Sequence, residues 1–198
     1  RDLHKEYRRQ RQMCIRDRLN TITLLLNLSM PIIIEKVNYN NTKDIRILET
    51  VLTNWFKNPK ELNLVEPRMK YPFNFKKWVT LTYKNSDIKS FALKENKWIV
   101  GIGNIILNEN NKWAHALHIF IDEKYRKKGL ATKMLQHLES LARYKKMRIL
   151  TLRVMPKNVP AKNLYKKMGF EEYINTGEHF PNSNNANNEA TILQKILN

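Results

Sequence analysis

Cysteine is nearly missing from this chain: 198 residues hold one, Cys14. A single thiol excludes a disulfide framework within the chain and fits a reducing, cytoplasmic setting. No His/Cys cluster has metal-ligand spacing, so no metal is expected. Long apolar runs are missing too. Leu19 to Ser29 follows a basic stretch and so imitates a signal peptide. It is nonetheless too short and too polar to span a bilayer, and no membrane partner is expected. Glycine is scarce, with five residues. Gly101-Ile102-Gly103 opens like a dinucleotide fingerprint, but the third Gly is missing and no helix follows. A β-bulge or a close backbone approach is the expected use there. The sequence carries no helix-turn-helix, zinc or RNA-recognition signature, and no Ser/His/Asp nucleophile pattern.

Acidic residues are outnumbered two to one, 18 against 36 Lys and Arg, for a formal net charge of +18. Such a balance points to polyanionic partners: nucleic acid, anionic lipid or a phosphate-rich cofactor. Solvated surface lysine accounts for the same charge without any partner. With no recognition signature present, nucleic acid is not the expected one. Part of the charge has another origin. Back-translation of Arg8 to Asp17 resembles a transposase-based sequencing adapter, and Arg1 to His4 resembles the flow-cell end of the same primer. Residues 1 to about 18 are therefore read as translated adapter. They carry a net +4, leaving +14 on the remainder, and they take Cys14 with them. Met30-Pro31 reads as a natural start. The expected organisation is a non-native or disordered extension, 1–29, and one domain, 30–198.

Within that domain, Ile32 to Val37 is β-branched and reads as a strand. The cap-type residues Asn40 to Thr42 precede a helical pattern of Ile45, Ile47, Leu48, Val51, Leu52 and Trp55. Pro59, Pro67 and Pro72 punctuate a stretch expected to hold a short helix and a loop. Phe73 to Trp78, aromatic and basic, either packs that loop or lines an acceptor site. Lys89–Leu93, Trp98–Leu107 and Trp113–Ile121 form an antiparallel meander. A helix over Leu130–Lys145, a strand over Arg148–Val154 and a helix over Ala161–Met168 follow, with Gly169 ending the last. Phe170–Ile174 and Ala190–Leu197 would close the sheet, around a polar Asn175–Asn188 loop. The fold class is α+β, a mixed and mostly antiparallel sheet with helices on both faces.

The chain is organised around Ala114 to Phe170, and at its centre is Arg126-Lys127-Lys128-Gly129-Leu130-Ala131. A strand leads in and an amphipathic helix leads out. That layout sets backbone amides at a helix start beside glycine and cations, a ready site for phosphate or pyrophosphate. Arg126-x-x-Gly129-x-Ala131 is followed, after a helix and a strand, by Asn158-x-x-Ala161-x-x-x-Tyr165-x-x-x-Gly169-Phe170. The combination resembles the GNAT superfamily of N-acetyltransferases. In layout the resemblance covers Met30 to Asn198, and it is most specific from Ile119 to Phe170.

The resemblance implies an acyltransferase that moves an acetyl group from acetyl-CoA directly to a primary amine of a small molecule or a peptide. It implies a central parallel strand pair splayed at the cofactor site. The amides of Lys127, Lys128, Gly129, Leu130, Ala131 and Thr132 would wrap the CoA pyrophosphate beside Arg126. A Cβ at Gly129 would obstruct close approach of the backbone. Ile119, Phe120 and Ile121 would pair with pantetheine as an added strand, one amide polarising the thioester carbonyl. Tyr165 would protonate the leaving thiolate, or pack at a helix–sheet contact. Asn158 would hold the pantetheine arm or cap a helix. Many relatives carry a Glu base five residues before the Asn158 position; here Arg153 stands there. His115 and His118 are then the candidate bases. They would face opposite sides of a regular strand unless a bulge turns both inward. Asp122 or a water chain is the alternative. A non-catalytic acyl-CoA sensor or scaffold is the rival reading, and a monomer and a homodimer are both compatible with the sequence.

Overall fold

The structure, a computed structural model, describes residues 31–83, 88–173 and 190–197. The chain divides into two units, Arg1–Ile32 and Ile33–Asn198, and the site lies in the second. The order is β1 (Ile32–Val37), α1 (Thr42–Trp55), α2 (Pro59–Val65), α3 (Phe75–Thr82), β2 (Lys89–Glu95), β3 (Trp98–Asn108) and β4 (Trp113–Ile121). A 3-10 turn (Glu123–Tyr125), α4 (Leu130–Tyr144), β5 (Ile149–Val154), α5 (Val159–Lys167), β6 (Glu171–Glu172) and β7 (Thr191–Ile196) follow. The strands form one sheet in the order β1-β2-β3-β4-β5-β7-β6. The meander β2–β3–β4 is antiparallel, β4–β5 is parallel, and β7 returns antiparallel between β5 and β6.

Each early helix begins where an asparagine can cap it. Asn41 accepts from the amides of Lys43 and Asp44, Asn58 from Lys60, and Asn74 from Lys77. Substituting such a cap typically costs about 1 kcal/mol. The three helices bring Leu48, Leu52, Trp55, Phe56, Leu62, Phe75 and Trp78 into one core with Ile102 and Phe120 of the sheet. The aromatic–basic stretch is thus mainly a packing element, and it forms the start of α3 rather than a loop. Its period was masked by Pro72 and by the shortness of the helix.

The other face belongs to α4. Ile102 points into the first core, so its neighbour Gly103 points the opposite way. A Cβ built on Gly103 would lie 2.4 Å from Met134 Cγ. Met134, Leu135 and Leu138 are fully buried. Gly103 is therefore a close-approach position, and it also stands opposite a bulge in β4. Two late elements differ from expectation. α5 starts at Val159, because Asn158 caps it and Pro160 suits a first turn. The strand after Gly169 is two residues long, Glu171–Glu172. The Asn175–Asn188 loop lies outside the described residues.

Candidate active site

β4 and β5 pair only from Trp113↔Ile149 to Ala116↔Leu152. Beyond that, β5 stays with β7 through Val154↔Thr191, and β4 stays with β3 through Ile121↔Gly101. The parallel pair is therefore open after Ala116 and Leu152, as a splayed pair should be. The cause lies in β4, where His118 and Ile119 together oppose Gly103. Such a bulge strengthens the local twist and re-aims side chains. His118 takes φ 48°, a left-handed conformation costing a non-glycine residue roughly 1–2 kcal/mol, which its surroundings must hold in place. Ile119, Phe120 and Ile121 all lie in the half of β4 without a β5 partner. The Ile121 carbonyl accepts from Arg126 Nε at 3.0 Å.

The turn after β4 is pinned by side chains. Asp122 accepts from Trp55 Nε1 at 2.7 Å and from the Lys124 amide at 2.9 Å. Arg126 makes a two-pronged contact with Glu61 of α2, at 3.0 and 2.9 Å, and lies over the Phe120 ring. Its guanidinium thus anchors the turn to α2. Lys127 and Gly129 both take positive φ, 62° and 76°. Among the described residues other than its chain neighbours, no atom lies within 4 Å of a Cβ built on Gly129, so among them the need for glycine is conformational. Lys128 reaches over the Tyr125 ring. The first helical bond of α4 runs from the Lys133 amide to the Gly129 carbonyl. Among the described residues, no side chain caps the preceding amides of Leu130, Ala131 and Thr132, and no acid occupies the first turn. The positive end of α4 is left for an anion.

Asn158 caps α5, accepting from the Ala161 amide at 3.3 Å. Tyr165 is buried beside Phe170, and burial pushes its phenol up to about 12. Among the described residues its hydroxyl has no hydrogen-bond partner. It is a protonated donor at neutral pH.

His115 and His118 come to one cavity, as a bulge allows. The cavity is about 320 Å³ and, among the described residues, is lined by both histidines with Glu66, Arg68, Arg153, Thr82 and mostly apolar side chains. His118 Nε2 lies 3.1 Å from Glu66 Oε2, and its Nδ1 lies 2.7 Å from Tyr83 Oη. Arg68 grips the same carboxylate through Nε at 2.7 Å and Nη2 at 2.5 Å. Burial alone would raise the Glu66 carboxyl, but these bonds from Arg68 and His118 outweigh it and hold the group at about 2. Glu66 is thus an acceptor at neutral pH. It accepts from His118 Nε2, and Nδ1 lies 2.7 Å from the Tyr83 hydroxyl, whose phenol burial keeps protonated.

His115 differs. Thr151 Oγ1 donates to the Ala114 carbonyl at 3.0 Å and so accepts from His115 Nδ1 at 2.9 Å. Burial, then the charge of Arg153, pushes this imidazole down to about 3. Among the described residues no group of His, Cys, Asp or Glu could hold a metal ion.

Glu66, Arg68 and Tyr83 were not singled out by sequence. Glu66 and Arg68 flank Pro67 in an aperiodic stretch, and Tyr83 follows the last turn of α3. Only a partner search for His118 would have pointed to them, and partners 52 and 35 residues away leave no spacing signal.

The model of the Acetyltransferase (GNAT) family matches residues 50–170. No curated protein matches the chain. Many solved structures share its fold. An acetyltransferase from Streptococcus agalactiae 2603 is 18% identical, with TM-score 0.63 over 84% of this chain and 98% of that one. Spermidine N-acetyltransferase from Vibrio cholerae, in complex with CoA and spermine, is 16% identical, with TM-score 0.61 over 83% and 95%. The ribosomal-protein-S18-alanine N-acetyltransferase from Escherichia coli is 18% identical, with TM-score 0.58 over 84% and 94%. At such identity the likeness speaks for the fold alone.

Proposed function

Because the chain belongs to the GNAT acetyltransferase family, we propose that this acyltransferase carries an acetyl group from acetyl-CoA straight to a primary amine. The acceptor is a small molecule or a peptide, and no covalent enzyme intermediate forms. The observation that carries the reading is the strand opening after Ala116 and Leu152, with an uncapped helix start at the end of the same β4 segment. An extended backbone with one open edge accepts another strand-like chain, and uncapped amides accept a pyrophosphate.

The residues divide the work as follows. The amides of Lys127 to Thr132 hold the pyrophosphate, with Lys127 and Lys128 beside it and Arg126 fixing the turn. Ile119 to Ile121 bind pantetheine, and one of their amides polarises the thioester carbonyl. The amine nitrogen forms a bond to the acetyl carbon and the carbon–sulfur bond breaks. Tyr165 donates to the departing sulfur. A thiol near its usual pKa of about 8.5 is more acidic than this phenol, so Tyr165 stabilises the developing thiolate by donating a hydrogen bond, and the proton that the sulfur finally keeps is the one the amine has released.

The amine also loses a proton. His118 is its acceptor in this reading, and Glu66, 3.1 Å from Nε2, stabilises the resulting imidazolium. His115, held neutral, orients groups in the cavity and does not carry the proton. A non-catalytic sensor is favoured by one observation, that both nitrogens of His118 are already engaged.

Thiol release from acetyl-CoA across a panel of primary amines separates the two. Amine-dependent release with an N-acetyl product supports the enzyme. Binding of acetyl-CoA without release from any amine supports the sensor.

A further inference from the structure

Arg126 stands at the entrance to the donor turn, yet its side chain is taken up by the chain itself. The Asp122 amide donates to the Val100 carbonyl at 2.9 Å, and Ile121 pairs with Gly101. Neighbouring residues of a strand turn their backbone groups to opposite sides, so those of Ile121 face the edge that β5 leaves open. Arg126 Nε takes the Ile121 carbonyl there. Nη1 and Nη2 take the two oxygens of Glu61. Each nitrogen of the guanidinium thus has a partner within the chain, and an anion at the turn is left to backbone amides.

The support behind this contact is stiff. Asn58 caps the start of α2, accepting from the Lys60 amide at 2.9 Å. Leu62, next to Glu61, is fully buried. The helix ends at Glu66, itself gripped by Arg68 and His118. What α2 supports is strained. Lys127, the residue after Arg126, takes φ 62°, which a non-glycine residue keeps only where its surroundings impose it. The Glu61 and Arg126 side chains are 25% and 37% exposed. An ion pair so exposed adds little to global stability. Its effect is local, on the shape of the turn.

We propose that Glu61 is a positioning residue for the cofactor: it holds Arg126 so that the amides of Lys127 to Thr132 are aimed at the pyrophosphate before acetyl-CoA arrives. This rests on the reading of that turn as the pyrophosphate site. The role carries a definite sign. A carboxylate close to an anion site repels the anion, and it neutralises a guanidinium that would otherwise attract it. By charge alone, Glu61→Gln binds acetyl-CoA more tightly. If Glu61 supports the turn, its loss leaves fewer molecules in the binding-competent shape, and affinity falls by that fraction.

Calorimetric titration of the full chain with acetyl-CoA reads the sign. Kd should rise about threefold to tenfold in Glu61→Gln, the span open to an exposed pair. The melting temperature of the free protein should move by no more than about 4 °C. Glu61→Asp, which keeps the carboxylate, recovers part of the affinity. Arg126→Gln weakens binding in the same way, and adding Glu61→Gln to it weakens binding no further, because the two residues act as one support. Tighter or unchanged binding in Glu61→Gln overturns the proposal, as does a double variant whose losses multiply.

Thiol release is read alongside. The KM for acetyl-CoA should rise with Kd while kcat stays within about twofold. A merely structural defect would lower kcat and the melting temperature and leave the Kd of the folded fraction unchanged, and that result also overturns the proposal. If no amine is turned over, the transfer reading fails and the binding series alone decides on Glu61. If the wild type binds no acetyl-CoA, the pyrophosphate reading and the proposal fail together.

Discussion

In the donor turn, residues 126–132 present backbone amides, with side chains used mainly to brace the loop. In the histidine cavity, Glu66, Arg68, His115, His118 and Arg153 present side chains from widely separated parts of the chain. The difference decides what each part can tolerate. A backbone site depends on φ and on where a helix begins, and it survives many changes of side chain. A side-chain site depends on charge balance among buried partners, and one substitution unsettles the rest. It also decides what each part can specify. On the proposed reading, the turn takes the same anion whatever amine is used, and the cavity selects the amine.

Four experiments sharpen or break this contrast. The largest effect is expected where donor and acceptor meet. Tyr165→Phe should slow thiol release by about a hundredfold to ten-thousandfold, the usual span for a positioned acid, while acetyl-CoA affinity stays within about twofold, a span far below 1 kcal/mol. Unchanged turnover, measured under saturating cofactor, would remove Tyr165 from the reaction.

Next is the buried carboxylate. Glu66→Gln leaves Arg68 and the Nε2–H of His118 without their anion. Breaking one partner of such a buried set costs about 3–5 kcal/mol, read from denaturant unfolding. The variant should also shift the pH–rate profile, which a purely structural defect would not. A loss under 1 kcal/mol would show that the cavity is wetter and looser than its geometry implies.

Third is acid stability, where the sign follows from the direction of each shift. His115 is at about 3 against an ordinary 6.5, so the unfolded chain binds the proton first. Stability therefore falls as pH drops below about 6.5 and continues to fall toward 3. Glu66 is at about 2 against 4.5, and it adds a second fall between those values. His115→Asn should remove the upper part of the slope and Glu66→Gln the lower part, as followed by melting temperature against pH. A flat profile from pH 6.5 to 3 would contradict both assignments.

The smallest effect is expected in the backbone site. Gly129→Ala meets no atom among the described residues beyond its chain neighbours and should cost only about 1–2 kcal/mol for its positive φ. The same change should weaken acetyl-CoA binding by more than this stability loss would suggest, because the added methyl group faces the ligand. Equal CoA affinity in the variant would place the pyrophosphate elsewhere.

This contrast also sets how much could be read from the sequence. The donor turn was legible because helix start, glycine and strand are consecutive, so Arg126 to Thr132 carry their geometry in their order. The sheet was legible for the same reason: β2 to β4 alternate and are joined by short polar turns. The splayed pair was reachable only through the resemblance; a bulge was one use open to Gly101-Ile102-Gly103 and to the His115–His118 spacing, but nothing in HALHIFI itself marks His118 as left-handed. The side-chain role of Arg126 was not legible, because Glu61 lies 65 residues away on a separate helix. The cluster around His118 was hidden in the same way. Arg153 was legible as a departure from the family pattern.

The central claim is that the turn and the strand opening form one acetyl-CoA site. Calorimetric titration of the protein with acetyl-CoA tests it most directly, with Gly129→Val titrated in parallel. The account predicts one saturable site per chain in the wild type and a much weaker one in the variant, with both proteins folded by circular dichroism. No binding heat and no melting shift at millimolar acetyl-CoA, or equal binding by the two proteins, would contradict it.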